Sequence, residues 1–210
     1  MKKLWLFHAS GDLERVRHEI LRDSLYEIAG VLALEQDVHG APQVADKEIL
    51  AKARQDEAAC FIIGDAQLLN QYRLAAYLAI KGAGGRIISI KAPSSSVADG
   101  VKLRENVWID HAVRVLPGVS IGANTWVMRN SELATNCKIG SSCWIGTNCQ
   151  ISERATLGKN CTLGHNTIIG PDVALPDWST IGSNVTITHS PKNTLFIDPR
   201  FREPVHVFNL

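Results

Sequence analysis

Beginning at Val97, every sixth residue as far as Ile187 is Val, Leu or Ile: Val97, Leu103, Ile109, Val115, Ile121, Val127, Leu133, Ile139, Ile145, Ile151, Leu157, Leu163, Ile169, Leu175, Ile181 and Ile187. A period of six is neither the 3.6 of a helix nor the 2 of a simple strand, so it marks a repeat architecture and is read before individual elements are assigned. Four places after each aliphatic stands a small or slim residue, such as Val101, Thr125, Cys137, Ala155 or Val185, which suits an inward slot near a tight corner. Three places after it Asn, Gly or Asp is common, as in Gly118, Asn124, Asn136, Asn148, Asn166 and Asp172. These types tolerate the left-handed backbone that a corner needs. Three hexads make a triangular coil, and stacked coils pair as parallel strands about 4.8 Å apart. The pattern predicts a left-handed parallel β-helix of hexapeptide repeats over 97–187, about five coils tall.

Residues 1–92 follow other periods. Residues 3–7 read as a strand, the spacing of Leu13, Val16, Ile20 and Leu21 as a helix, 28–34 as a second strand and 49–54 as a helix. Residues 60–63 read as a third strand, 68–81 as a helix and 86–90 as a fourth strand. Together these predict a small α/β domain of Rossmann-like βαβ type. After the first strand, His8-Ala9-Ser10-Gly11-Asp12 leads into a helix, which places backbone N–H groups where a phosphate could dock; one glycine is not a GxGxxG fingerprint, and by itself the segment reads first as a plain structural turn. Pro93 and the following serines mark a linker at 93–96, and 188–210 form a C-terminal tail.

A net charge of +1, with no Lys/Arg cluster, gives no reason to expect nucleic acid or an anionic membrane as partner. The apolar run after Lys3 stops at His8, shorter than the core of a secretory signal, and no stretch is long enough to span a bilayer. Five cysteines without a CxxC pair argue against a disulfide framework, so a reducing cytoplasm is expected. Cys137, Cys143, Cys149 and Cys161 all fall in the inward slot, which assigns them to packing and not to a metal or nucleophile. Trp108, Trp126 and Trp144 are spaced by eighteen and precede inward aliphatics, so they point outward on one edge, continued by Thr162 and Thr180. Such an aromatic edge is expected to be covered by another subunit or by a ligand.

A short Rossmann-like domain followed by an uninterrupted hexapeptide helix resembles the bacterial sugar acetyltransferases, among them the sialic acid O-acetyltransferases and the UDP-4-amino-sugar N-acetyltransferases. The resemblance covers nearly the whole chain. It implies a homotrimer that takes an acetyl group from acetyl-CoA as co-substrate and transfers it to a nucleotide sugar, in surface-polysaccharide or glycan biosynthesis, with no resident metal. Carried over by register, the nucleotide-sugar contacts fall on Ser10, Gly11 and Asp12 after the first strand, on Glu35 and Gln36 after the second, and on Gly64 and Gln67 after the third. His8 and Asp12 depart from the family's usual glycine and histidine at that first loop. The positions that line the acetyl-CoA cleft are Trp144, His165 and Ser183. The family's catalytic His-Glu pair falls on Thr135-Asn136, and an unactivated hydroxyl has no useful basicity near neutral pH. Glu153 stands one coil on, where the family tends to have glycine, and the C-terminal segment departs from the family's Gly-Val-Pro-Ala-like ending.

Three readings follow. The first is an acyltransferase with a relocated base such as His165. The second is a catalytically degenerate nucleotide-sugar-binding or scaffold protein of the same lineage. The third, a metal-dependent hydratase on the same prism, would need three histidines to meet across a subunit boundary; His111 and His165 lie three coils apart, about 14 Å, beyond shared ligation within one chain.

Overall fold

The sixfold pattern is realised as three parallel sheets. The computed structural model describes residues 2–8, 13–23, 26–33, 35–36, 42–43, 58–64, 71–197 and 205–206. From Ser96 onward, two-residue strands recur every six positions, each paired with the strand eighteen residues on, as Val115 pairs with Leu133 and Leu133 with Ile151. One face carries Trp108–Ile109, Trp126–Val127, Trp144–Ile145, Thr162–Leu163 and Thr180–Ile181, and is termed here the tryptophan face. A second runs from Ser96–Val97 to Thr186–Ile187 and a third from Lys102–Leu103 to Ala174–Leu175. The unit is a parallel β-solenoid of the left-handed type.

The solenoid has about six turns, one more than the period predicts. Ile90–Lys91 pairs with Trp108–Ile109, and Phe196 and Ile197 pair with Thr180 and Ile181. Neither rung obeys the pattern. Lys91 puts a charge at the aliphatic position, and Ile197 follows Ile181 by sixteen residues instead of eighteen. Solenoid pairing therefore begins ahead of Pro93, and a short antiparallel strand, Val205–His206, lies against the last rung.

Every sixth residue from Gly100 to Asn184 has φ between 54° and 77°, so each corner turns through the left-handed region. Most are Asn, Gly or Asp, whereas Ala112, Ser142, Arg154 and Trp178 adopt it without that chemistry. At the place after the aliphatic, Gly140 leaves no room for a Cβ, which would strike the Gly158 carbonyl of the next coil. Inside, the aliphatics and the small slot are buried as one column. Most of the slot's polar members donate to a carbonyl fifteen residues ahead, among them Thr125 Oγ1 to Gly140 O at 2.8 Å, Ser131 Oγ to Gly146 O at 2.8 Å and Cys149 Sγ to Gly164 O at 3.0 Å, whereas Ser179 Oγ turns back to Pro176 O at 2.8 Å. The slot thus takes Ser, Thr and Cys for the same reason. Burial pushes the Cys149 thiol up to about 11 and Cys137 up to about 12, which leaves little thiolate for nucleophilic or ligand duty.

The remainder, Met1–Ser89, separates by contacts from Ile90–Leu210 and is built on a three-stranded parallel sheet. Strand β1 (Lys3–His8) lies between β2 (Glu27–Ala33) and β5 (Ala59–Ile63), and a hairpin of β3 (Glu35–Gln36) and β4 (Pro42–Gln43) follows β2. Leu4, Leu6, Phe7 and Phe61–Ile63 are fully buried. Helix α1 (Leu13–Arg22) buries Val16 and Ile20 but leaves Leu21, grouped by spacing with that face, 51% exposed. Helix α2 (Gln71–Gly82) buries Ala76 and Ile80. The fourth strand expected at 86–90 does not form; only a single bridge joins Ile87 to Cys60, because the chain departs at Ile90, whose N–H is given to Val107 O of the solenoid at 2.9 Å. The helix expected at 49–54 lies outside the described residues. Among the described residues no helix is long and apolar enough to cross a membrane.

Candidate functional site

The corner that follows the tryptophan face carries the densest set of candidate residues. Two places after Ile109, Val127, Ile145, Leu163 and Ile181 stand His111, Arg129, Thr147, His165 and Ser183, stacked by the parallel register of that face. Gly146, Gly164 and Gly182 precede three of them, and a Cβ on Gly164 would meet Ser183 N at 2.5 Å, so successive rungs approach closely here.

At this corner the backbone N–H groups find side-chain acceptors. Asp110, fully buried, takes the His111 N–H on Oδ1 at 2.7 Å and the Arg129 N–H on Oδ2 at 3.2 Å, with Arg129 Nε 3.5 Å from the same Oδ2. The Thr147 N–H donates to His165 Nδ1 at 3.0 Å, and the His165 N–H donates to Ser183 Oγ at 3.0 Å. Ser94 Oγ accepts the Ala112 N–H at 3.2 Å and lies 2.8 Å from His111 Nδ1. His165 is exposed, and Thr147 and Ser183 are half-buried.

The aromatic column is continuous: Trp108 and Trp126 have ring centroids 5.7 Å apart, and Trp126 stacks on Trp144 at 5.8 Å with 15° between planes. Trp108 and Trp126 are 1% and 0% exposed, so these two members of the edge are not left on a free surface. Trp144 remains half-buried. Trp144, His165 and Ser183, the three positions assigned to an acetyl-CoA cleft, fall on this one face and its corner. His111 and His165 stand three rungs apart along it.

Thr135 lies elsewhere, two places after Leu133 on the second face, so a single chain does not bring it to the His165 corner. It is half-buried, and its carbonyl accepts the Arg154 N–H at 3.1 Å. Glu153, one coil on, is exposed with Oε2 3.8 Å from Arg154 Nη1, while Arg154 makes two 2.7 Å hydrogen bonds to Asp172. The Arg154 guanidinium holds the Asp172 carboxyl below its ordinary value. His189, on the same corner, has Nδ1 2.8 Å from Thr188 Oγ1.

In the N-terminal unit, His8 ends β1, paired with Ala33 and Ile63; burial lowers its pKa against the opposing pull of Glu14. Gly64 is buried directly after β5, where a Cβ would lie 2.9 Å from Arg73 Cβ, so its glycine has a packing reason. Glu35 and Gln36 pair with Gln43 and Pro42. Ser10, Gly11, Asp12 and Gln67 lie outside the described residues. Sequence reasoning passed over Thr147, Ser94 and Asp110; the signal for Thr147 was its place midway in the eighteen-residue series from Arg129 to His165.

Residues 136–171 match the bacterial transferase hexapeptide (six repeats), and residues 154–189 match the hexapeptide repeat of succinyl-transferase. No curated protein matches the chain by sequence. Among solved structures, PerB from Caulobacter crescentus in complex with CoA and GDP-perosamine is similar over 89% of both chains, with a TM-score of 0.75 and 21% identity. The acetyltransferase domain of PglB from Neisseria gonorrhoeae, in complex with acetyl coenzyme A, is similar over 92% of this chain and 95% of its own, with a TM-score of 0.62 and 15% identity. WeeI from Acinetobacter baumannii is similar over 90% and 97%, at 0.62 and 14%. At such identities the likeness is one of fold: the chain has the fold these three share, and its residues 136–189 carry the hexapeptide repeat.

Proposed function

We propose that this protein is an acyltransferase that moves an acyl group, with acetyl-CoA as the first candidate donor, onto a nucleotide-linked sugar in surface-polysaccharide or glycan biosynthesis. The observation that supports this most is the likeness in fold, over 89% of both chains, to a protein holding CoA and GDP-perosamine together. That span includes both units of the chain. In the N-terminal unit, the three-stranded parallel sheet of order β2-β1-β5 is read here as a reduced Rossmann-like sheet, a type that binds ligands beyond the carboxyl ends of its strands. Residues 1–92 serve on this reading as the nucleotide-sugar domain, 93–96 as a linker, 97–187 as the catalytic solenoid and 188–210 as a tail. Ser10, Gly11, Asp12, Glu35, Gln36, Gly64 and Gln67 follow the strand ends and supply the sugar-nucleotide contacts. Trp144, His165 and Ser183 line the acyl-CoA cleft, which a homotrimer closes. The buried thiols accord with a reducing cytoplasm.

In the reaction, a sugar nitrogen or oxygen bonds to the thioester carbon, the C–S bond breaks, and the electron pair leaves with the CoA sulfur. The nucleophile's proton is taken up by the departing thiolate, directly or through solvent. Thr135 contributes position but no basicity. An amine attacks through its own lone pair whereas a neutral hydroxyl needs a base, so an amino sugar is the favoured acceptor. Release of CoA thiol from acetyl-CoA, followed across a panel of nucleotide-linked amino and hydroxy sugars, tests the reading. Turnover with at least one amino sugar, diminished in His165→Ala, is expected; full activity in His165→Ala would remove that residue from the cleft.

A second reading is favoured by Thr135-Asn136 at the place of the family's His-Glu pair: a nucleotide-sugar-binding protein without turnover. Calorimetry separates the two. Nucleotide-sugar binding with no acetyl-CoA binding would favour it, and clear acetyl-CoA affinity would count against it.

A further inference from the structure

A backbone N–H can only donate a hydrogen bond, so the nitrogen that receives it must present a lone pair. At the His165 corner that nitrogen is Nδ1, 3.0 Å from the Thr147 amide. A neutral imidazole has one bare nitrogen and one N–H, and the partner of the first fixes the place of the second. With Nδ1 engaged, the proton of neutral His165 sits on Nε2, on a ring that is exposed at the corner. The backbone that carries the ring is held as well, the His165 N–H donating to Ser183 Oγ at 3.0 Å. Thr147, His165 and Ser183 thus form a three-rung chain in which the side chains of His165 and Ser183 each satisfy the amide of the rung before.

Resting on the acyl-CoA reading above, we infer that His165 serves the acyl donor as a hydrogen-bond donor through Nε2–H, and not as the base that deprotonates the acceptor. A base needs a vacant lone pair facing the nucleophile, and the only lone pair of this ring is occupied by Thr147. The group recognised is an acceptor oxygen of the acyl donor, either a carbonyl of its acyl-pantetheine arm or a phosphate oxygen. If it is the thioester carbonyl, the bond strengthens as charge builds on that oxygen during attack.

Two measurements test this. Long-range proton–nitrogen spectra of labelled protein, with the His165 signals identified by their loss in His165→Ala, report the tautomer directly. A bare Nδ1 and a protonated Nε2 are expected, and the reverse assignment would overturn the inference. Acyl-transfer kinetics then compare three variants. Glutamine can place an amide N–H near the position of Nε2 but cannot act as a base; asparagine can place a carbonyl near Nδ1 for Thr147 but has no distal donor. His165→Gln is expected to retain activity within about threefold, and His165→Asn and His165→Ala to lose about tenfold or more. A glutamine variant as inactive as the alanine one would show that the ring is a base. A fully active asparagine variant would show that it only caps Thr147. A loss in kcat identifies the thioester carbonyl as the acceptor, and a rise in KM alone identifies the pantetheine or phosphate oxygens; either supports a donor. Absence of both acyl transfer and acetyl-CoA binding in the unaltered protein would overturn the acyltransferase reading, and with it the ligand assigned here, while the spectra still report the tautomer.

Discussion

The solenoid and the N-terminal unit both use glycine at close approaches, yet what lies on the far side of each approach differs. In the solenoid, Gly140 faces the backbone of the next coil at Gly158 and Lys159, which is held on both sides by parallel pairing. In the N-terminal unit, Gly30 faces the ring of Trp5, a side chain with two rotatable bonds. A backbone obstacle can yield only if the rung spacing yields, whereas a ring can turn aside. Periodic construction therefore gives rigidity at the cost of tolerance.

The largest effect should come from testing that difference. Gly140→Ala is expected to cost more than about 3 kcal/mol, and Gly30→Ala about 1–3 kcal/mol, in denaturant unfolding followed by tryptophan fluorescence. Equal losses would erase the distinction. A smaller effect should appear in alkaline solution, where the buried thiols matter. The unfolded thiols ionise near about 8.5, whereas burial holds Cys149 at about 11 and Cys137 at about 12. Between these limits the unfolded chain has fewer bound protons than the native one, so stability falls as pH rises. The denaturant midpoint should drop from about pH 8 to about pH 10, and Cys137→Ala or Cys149→Ser should flatten the slope; a midpoint independent of pH would contradict the burial. The smallest effect is expected for Arg154→Ala. Its bidentate contact with Asp172 is exposed, so no resolvable midpoint change is expected despite two short hydrogen bonds.

Legibility in the sequence followed the same division. A register of six can be counted, and it located the inward aliphatics, the small slot and the left-handed corners before any coordinates. It failed at its ends, where Lys91 breaks the aliphatic rule and Ile197 pairs at a different spacing. In the N-terminal unit β1, β2 and β5 were visible as apolar runs, but the strand expected at 86–90 was not formed, because the chain is captured by a rung that composition does not reveal. At the candidate site the resemblance singled out Trp144, His165 and Ser183 for an acetyl-CoA cleft. It could not show that the Thr147 amide, a group every residue has, decides which imidazole nitrogen faces outward. Nor did an outward tryptophan series reveal that Trp108 and Trp126 would be buried within the chain.

The hydroxyls and thiols of the inner slot have one further consequence. Thr125, Ser131 and Cys149 each reach a carbonyl fifteen positions later, while the strands pair at eighteen. A single inserted or deleted residue within a face would misalign both offsets at once, in every coil it touches. Length in this half of the molecule is consequently quantised: the chain can grow or shrink by whole coils, or by loops extruded at corners, and by little in between. Evolution of such a protein should proceed by duplication and excision of complete turns, with point changes confined to the outward positions where the chemistry sits.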